Sequence, residues 1–493
     1  MIYFHILLAI MSLLSGNIQF CIYFLVILFV SYRYYLKTSS TITYLFLFLV
    51  AYPVAFIGET VLLRNAIYIY SIFCLIYFAQ SQRDGFIKVK VWQKFVLLMI
   101  SGAAFIIYLP ILIETYFDLG LFTGPEEHFI SNHRESHMLG FAAPMLIGSA
   151  ISFVVIKSLS TKTDFENLYR VLKIFTWIVV VGSLIRYISQ IEIIPQSYIQ
   201  SVRLDGFRLS GFMNPDAIGY GRTLLIPFAF ILSYVTSKQK YGKDAFLLFL
   251  IIISLFITFS RIIVATTIIM MVIVFLYNFR MRIMLKGSLF LFVVITFLIF
   301  NGAIDRLGSR SAFSSSSSGI NLSGRDLIYT TGIPIVVASP YVGLRPGGYV
   351  SMLRKGYVYS RDGQVGEMNV VSAHSFYLVI ALEWGMPFLL FLLGVMFHCL
   401  YLLHKTIFLT NKYIFLKGFR HIRIWSVASL SLLAGLLIEG IIDFIPYPFV
   451  FFLIGLPWSL YLIVRKTISL HLMSEASNFI KPNSHEDFIH KLK

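Results

Sequence analysis

Long apolar runs separated by short polar connections recur along this sequence, and they decide what it can fold into. Crossing a hydrocarbon core of about 30 Å takes roughly 20 helical residues. A run such as Ala245 to Tyr277, broken by the single charge of Arg261, is long enough for two short helices that meet at Ser260–Arg261. Apolar residues make up 58% of the chain and charged residues 13%, against about 25% charged in an ordinary soluble domain. A soluble fold is thereby excluded. So is a transmembrane β-barrel, because segments such as Phe246 to Phe259 do not alternate. The expected fold class is an all-α polytopic membrane protein. The start, MIYFHILLAIMSLLSG, lacks a basic n-region and a small-residue cleavage site and reads as a first span or membrane-associated segment. Cys21, Cys74 and Cys399 all lie inside apolar runs, where they act as small hydrophobes without metal or disulfide spacing.

A formal charge of +17 would suggest a nucleic-acid partner in a soluble protein, but in a membrane chain its placement reports topology. Basic connections at Arg33/Lys37, Arg83 to Lys94, Lys157 to Lys173, Lys238 to Lys243, Arg280 to Lys286, Lys405 to Arg423 and the tail from Arg465 alternate with sparse ones. Assigning them to the cytoplasm gives about 14 spans with both termini inside. Residues 113–138, 190–214, the Ser260–Arg261 turn, a long loop at 304–374 and the turn at Asp443 to Pro446 then lie outside. On this map Lys355 is the one external lysine, whereas external arginines are plentiful. Membrane insertion does not require arginines there, and the guanidinium binds phosphate or carboxylate through a planar two-point fork. The asymmetry points to an external site for an anionic ligand, most naturally a lipid phosphate. The plainer alternative is that some of these arginines pair with carboxylates such as Glu126, Glu135, Asp205 or Asp326.

Along the chain, the expected division is residues 1–200 as N-terminal membrane helices, 201–402 as a motif-bearing region that includes the external loop 304–374, 403–466 as C-terminal membrane helices, and 467–493 as a cytoplasmic tail. The loop far exceeds the roughly 12–15 residues of ordinary connections, and loops that long are usually functional. It holds the Ser314–Ser318 tract, then NLSGRDLIYTTGIPIVVAS, which reads as a capped amphipathic helix, and the turn-rich SPYVGLRPGGY. No internal repeat is evident, which weighs against the duplicated halves of many secondary transporters.

Four patterns carry chemistry, and all fall on the external side. In RLSGFMNPDAIG, Arg208 to Gly219, Asn214-Pro215 marks a turn and a helix start; a plain capped helix is the simpler reading. In TFSR, Arg261 is a lone charge deep in an apolar run, functional by default unless it is a snorkelling anchor. SGRDLIY places Arg325 in the first turn of the loop helix, which would otherwise be a solvated amphipathic helix. In AHSFYLVIALEWG, His374 stands at the outer start of an apolar span with Glu383 inside it. A histidine there can serve as a general base with access to lipid-borne substrate, or can be a satisfied interfacial residue. Arg222 follows Pro215 within the same helix and lines a cavity or snorkels. Glu439 and Asp443 form a carboxylate pair or, more simply, counter-charges for arginines. His133 and His137, with His128 nearby, lack an evident further metal ligand, so no metal site is assigned.

Taken in order, RLSG-x-x-NPDA, FSR, SGRD, P-x-x-G and AHS-x-YL-x-x-x-LEWG resemble the O-antigen ligase and polymerase family over residues 200 to 400. Asp216, Ile262 and Ser375 depart from the NPN, SRG and HN forms common in that family. The resemblance implies a GT-C-like membrane glycosyltransferase, metal-independent and without cofactor, in the bacterial inner membrane with its site on the periplasmic face. By it, Arg261, Arg325 and His374 match the family's catalytic positions, with Arg208, Arg222, Arg345 and Asn214 in substrate binding. The implied reaction moves a glycan from undecaprenyl diphosphate to a sugar hydroxyl, building surface polysaccharide such as O-antigen or capsule. Implied partners are the undecaprenyl-diphosphate-linked oligosaccharide, the bilayer and a chain-length-regulating membrane protein. Ligation to lipid A core is the second reading. A lipid-linked oligosaccharide flippase is the alternative of another class, although it would call for ionisable residues at mid-membrane.

Overall fold

The computed structural model describes residues 162–189, 217–237, 242–278 apart from 259, 375–442 apart from 417, and 447–480, together with Leu209 and several residues between 329 and 343. The expectations for the N-terminal spans, the HRESH histidines, Cys21, Cys74, Asp443, the total of about 14 spans and the tail beyond Ile480 fall outside the described residues.

These residues form helices α1 (Lys162–Ser189), α2 (Ala217–Ser237), α3 (Gly242–Ile257), α4 (Arg261–Asn278), α5 (Phe376–Trp384), α6 (Met386–Lys412), α7 (Phe419–Ile442) and α8 (Tyr447–Ile480). Five segments are long and apolar enough to cross a membrane: Phe165–Ile185, Ala217–Ser237, Met386–Lys412, Phe419–Ile441 and Leu453–Ser474. The chain is thus a multi-pass helical membrane protein. Several buried hydroxyls find acceptors one turn back in their own helix, as in Thr176 to the Leu172 carbonyl at 2.6 Å and Thr406 to the Leu402 carbonyl at 2.7 Å. That keeps polar side chains satisfied where lipid offers no partner.

α7 is the central helix and packs against α1, α2, α4, α5, α6 and α8. Its fully buried Trp425 lies against Phe230 and Phe165, with ring centroids 4.5 and 5.3 Å away, and donates to the Tyr234 hydroxyl at 3.1 Å. Helices with apolar surfaces on every side gain little from hydrophobicity in lipid, so close packing has to hold them, and small residues allow it. A Cβ added at Gly435 of α7 would meet the Met270 and Thr266 side chains of α4 at 2.9 and 3.0 Å, and one at Gly221 of α2 would meet Ile263 of α4 at 2.9 Å.

The two ends of this bundle differ in chemistry. At one end Arg420 donates to the Ser237 carbonyl at 2.5 Å, and Arg423 donates to the Tyr277 carbonyl at 2.5 Å and to Asn278 Oδ1 at 2.9 Å. These are the last residues of α2 and α4, where helix carbonyls lack intrahelical donors and the dipole favours a cation. Lys173 pairs with Asp244 at 2.9 Å at the same end. Among the described residues, Lys173, Arg420 and Arg423, which come from basic connections that the sequence groups on one side, meet at this end and act as helix caps and struts. α2 and α7 run antiparallel, so the Arg420–Ser237 contact lies about 25 Å from the Arg222–Glu439 contact at the other end.

Candidate functional site

The end that carries Arg222 gathers the motif segments. The α3–α4 connection is a tight turn: Thr258 Oγ1 donates to the Leu255 carbonyl at 2.6 Å and accepts the Ser260 N–H at 3.4 Å. Val264 N–H then donates to the Ser260 carbonyl at 3.0 Å, which starts α4 with Arg261 as its first residue. Two short helices thus meet at this turn, as the apolar run around Arg261 suggested. A cation in the first turn opposes the helix dipole, so helix stability does not account for an arginine there. Leu209, fully buried, donates its backbone N–H to the Ile257 carbonyl at 3.1 Å and ties the RLSG segment to the turn. α2 begins at Ala217, two residues after Pro215 in the sequence, and brings Arg222 to the same end.

The AHSFYLVIALEWG segment departs from a continuous span. Ser375 N-caps α5, accepting the Leu378 N–H at 3.4 Å, and α5 ends after Trp384. Gly385, at φ +82°, stops α5 and leads into Pro387 in the first turn of α6. A nine-residue helix is about 13 Å long and cannot cross a membrane. The break leaves Glu383, which is fully buried, in the last turn of α5.

The loop docks on this break. Met386 N–H donates to the Pro340 carbonyl at 2.8 Å. Gly343 sits at φ +68°, and a Cβ there would lie 2.5 Å from the Leu382 carbonyl oxygen and 2.9 Å from the Glu383 carbonyl carbon. The P-x-x-G and LEWG motifs, distant in sequence, are therefore one structural unit whose glycine is required twice, by dihedral and by space. Gly343→Ala is expected to destabilise this unit by about 1–3 kcal/mol from the positive φ alone, with the overlap adding to it. A fall in the thermal midpoint of the purified protein, with glycan transfer reduced in step, checks this; an unchanged midpoint contradicts it.

The last turn of α7 receives the remaining segments. Ser375 Oγ donates to the Gly440 carbonyl at 3.4 Å, the Tyr377 hydroxyl to the Leu437 carbonyl at 2.5 Å, and the Tyr329 hydroxyl to the Ile441 carbonyl. Arg222 Nε donates to Glu439 Oε1 at 2.5 Å in an ion pair whose carboxylate is fully buried. Glu439 thus serves as the counter-charge to an arginine, and the alternative pairing with Asp443 lies outside the described residues. Among the described residues no group of His, Cys, Asp and Glu is arranged to hold a metal.

Of the sequence-derived candidates, Arg222 is described with its side chain and Arg261 by its backbone. Arg208, Asn214, Arg325, Arg345 and His374 lie outside the described residues, although Leu209, Tyr329, Gly343 and Ser375 place the chain close to four of them. Sequence reasoning did not single out Tyr329, Tyr377 or Ser375 as anchors. A tyrosine at the polar end of an apolar helix was the available signal, but nothing in the sequence identified α7 as its acceptor.

No curated protein matches this chain. Residues 246–393, from α3 through the long loop into α6, match the family model described as O-Antigen ligase. This segment holds Arg261, Arg325, Arg345, His374 and the docked P-x-x-G and LEWG motifs, and over these residues the chain is similar to the O-antigen ligase family, which supports a place among the membrane glycan-processing ligases and polymerases.

Proposed function

We propose that this protein polymerises surface polysaccharide, transferring a growing glycan from undecaprenyl diphosphate to a sugar hydroxyl on the external face of the bacterial inner membrane. The observation that carries the reading is the meeting of the RLSG, FSR, P-x-x-G and AHS-x-YL segments at one end of the bundle, around α7. Each is weak alone, and a helical membrane protein has no packing need to gather them. The other end is held by arginines that cap helices.

In the proposed reaction an acceptor hydroxyl attacks the anomeric carbon of the carrier-linked glycan. The bond from that carbon to the diphosphate oxygen breaks, and the diphosphate leaves with the electron pair. His374 takes the hydroxyl proton. Arg261 and Arg325 neutralise the charge developing on the leaving group, with Arg208, Arg222, Arg345 and Asn214 in support, as preorganised donors stabilise a transition state. Cationic side chains make a divalent ion unnecessary for this step. The family description favours a second reading, ligation of finished glycan to lipid A core.

Deleting the protein separates the two. A polymerase leaves single repeat units on carrier and acceptor lipid, and this is the expected outcome. Long chains retained on the carrier, with bare acceptor, would identify a ligase. Normal polysaccharide would exclude both.

A further inference from the structure

We propose that Glu439 is a positioning residue: from the last turn of α7 it holds the Arg222 guanidinium at Nε and so fixes how that cation meets the carrier diphosphate. The inference rests on the proposed function, since the diphosphate is its ligand.

Four observations converge on this contact. Glu439 is fully buried, while the Arg222 side chain keeps 16% exposure, so what solvent access the pair has is on the arginine side. The bond is made by Nε, the inner nitrogen, at 2.5 Å, and a contact there sets the plane of the guanidinium instead of capping its far end. The backbone on each side is fixed: Gly221 packs on Ile263, two residues into α4 from Arg261, and the turn bearing Glu439 accepts hydroxyls from Tyr329, Ser375 and Tyr377. Tyr329 lies four residues after Arg325, and Ser375 directly follows His374. The carboxylate that orients Arg222 therefore belongs to the same turn that seats the neighbours of two candidate catalytic residues.

A plain strut between α2 and α7 would also use such a pair, and the two roles differ in what they predict. A carboxylate beside an anion site lowers affinity by simple electrostatics, so its removal should tighten binding. If it positions the arginine, removal should weaken binding.

The test measures binding of undecaprenyl diphosphate to the purified full-length protein in detergent, with undecaprenol as the uncharged comparison. Glu439→Gln is expected to weaken binding about tenfold, as for loss of one charge-assisted hydrogen bond, and Glu439→Asp to recover part of it. The pair reversal, Arg222→Glu with Glu439→Arg, keeps an ion pair between α2 and α7. It is expected to keep a wild-type thermal midpoint and lose the same affinity. Unchanged or tighter binding in Glu439→Gln, or full binding by the reversed pair, would overturn the positioning role and leave the diphosphate reading standing. A wild-type protein that binds undecaprenyl diphosphate no better than undecaprenol would overturn both.

Discussion

His374→Ala is expected to abolish glycan chain extension while the amount of protein in the membrane stays unchanged. The helix start beside this residue is secured by Ser375, which caps α5 and bonds the Gly440 carbonyl. What is lost is an imidazole, a side chain type able to exchange a proton near neutral pH, at the position proposed to meet the acceptor hydroxyl. Loss of a positioned general base costs about 10²- to 10⁴-fold in rate. Ladder length on gels and accumulation of carrier-linked repeat units, at matched protein level, check the result. Near-normal polymer from a normally expressed variant would remove His374 from the mechanism.

Arg261→Lys and Arg325→Lys carry the second large effect. Each keeps the charge and removes the fork, so they separate two-point grip on phosphate oxygens from general positive potential. Removing one preorganised donor from a developing anion costs about 10²- to 10³-fold, and each single variant is expected to lose most transfer activity. Arg261 opens α4 against the preference of the helix dipole, so lysine at this position should not unfold the helix. Changes at Arg354 or Arg361, in the less patterned part of the loop, are expected to be milder. Wild-type ladders from both lysine variants would make these arginines anchors or steering charges and end the diphosphate-grip mechanism.

The helical membrane class was legible in the sequence because it follows from run length and composition. Arg261 illustrates this well: one charge in an apolar run forecast the turn that the structure places at Thr258–Ser260. Three features were not legible. The break at Gly385 is hidden because the residues on both sides are apolar, and period alone does not distinguish one span from a short helix docked on another. The contact of Gly343 with Leu382 joins segments far apart in the sequence, which no local pattern encodes. The partner of Arg222 is 217 residues away, and the sequence offered several carboxylates of which Glu439 was one. Composition reports which residue types must meet at an end of the bundle, whereas helix packing selects the pairs.

The central claim is transfer of glycan from a polyprenyl diphosphate. The direct measurement reconstitutes the full-length protein in lipid vesicles with carrier-linked repeat units extracted from cells that lack it, and follows glycan length and released undecaprenyl diphosphate together. The account predicts a growing ladder with one undecaprenyl diphosphate released for each unit joined, both absent from the His374→Ala protein. Repeat units that stay single on their carrier in the presence of folded wild-type protein, with no diphosphate carrier released, would contradict it.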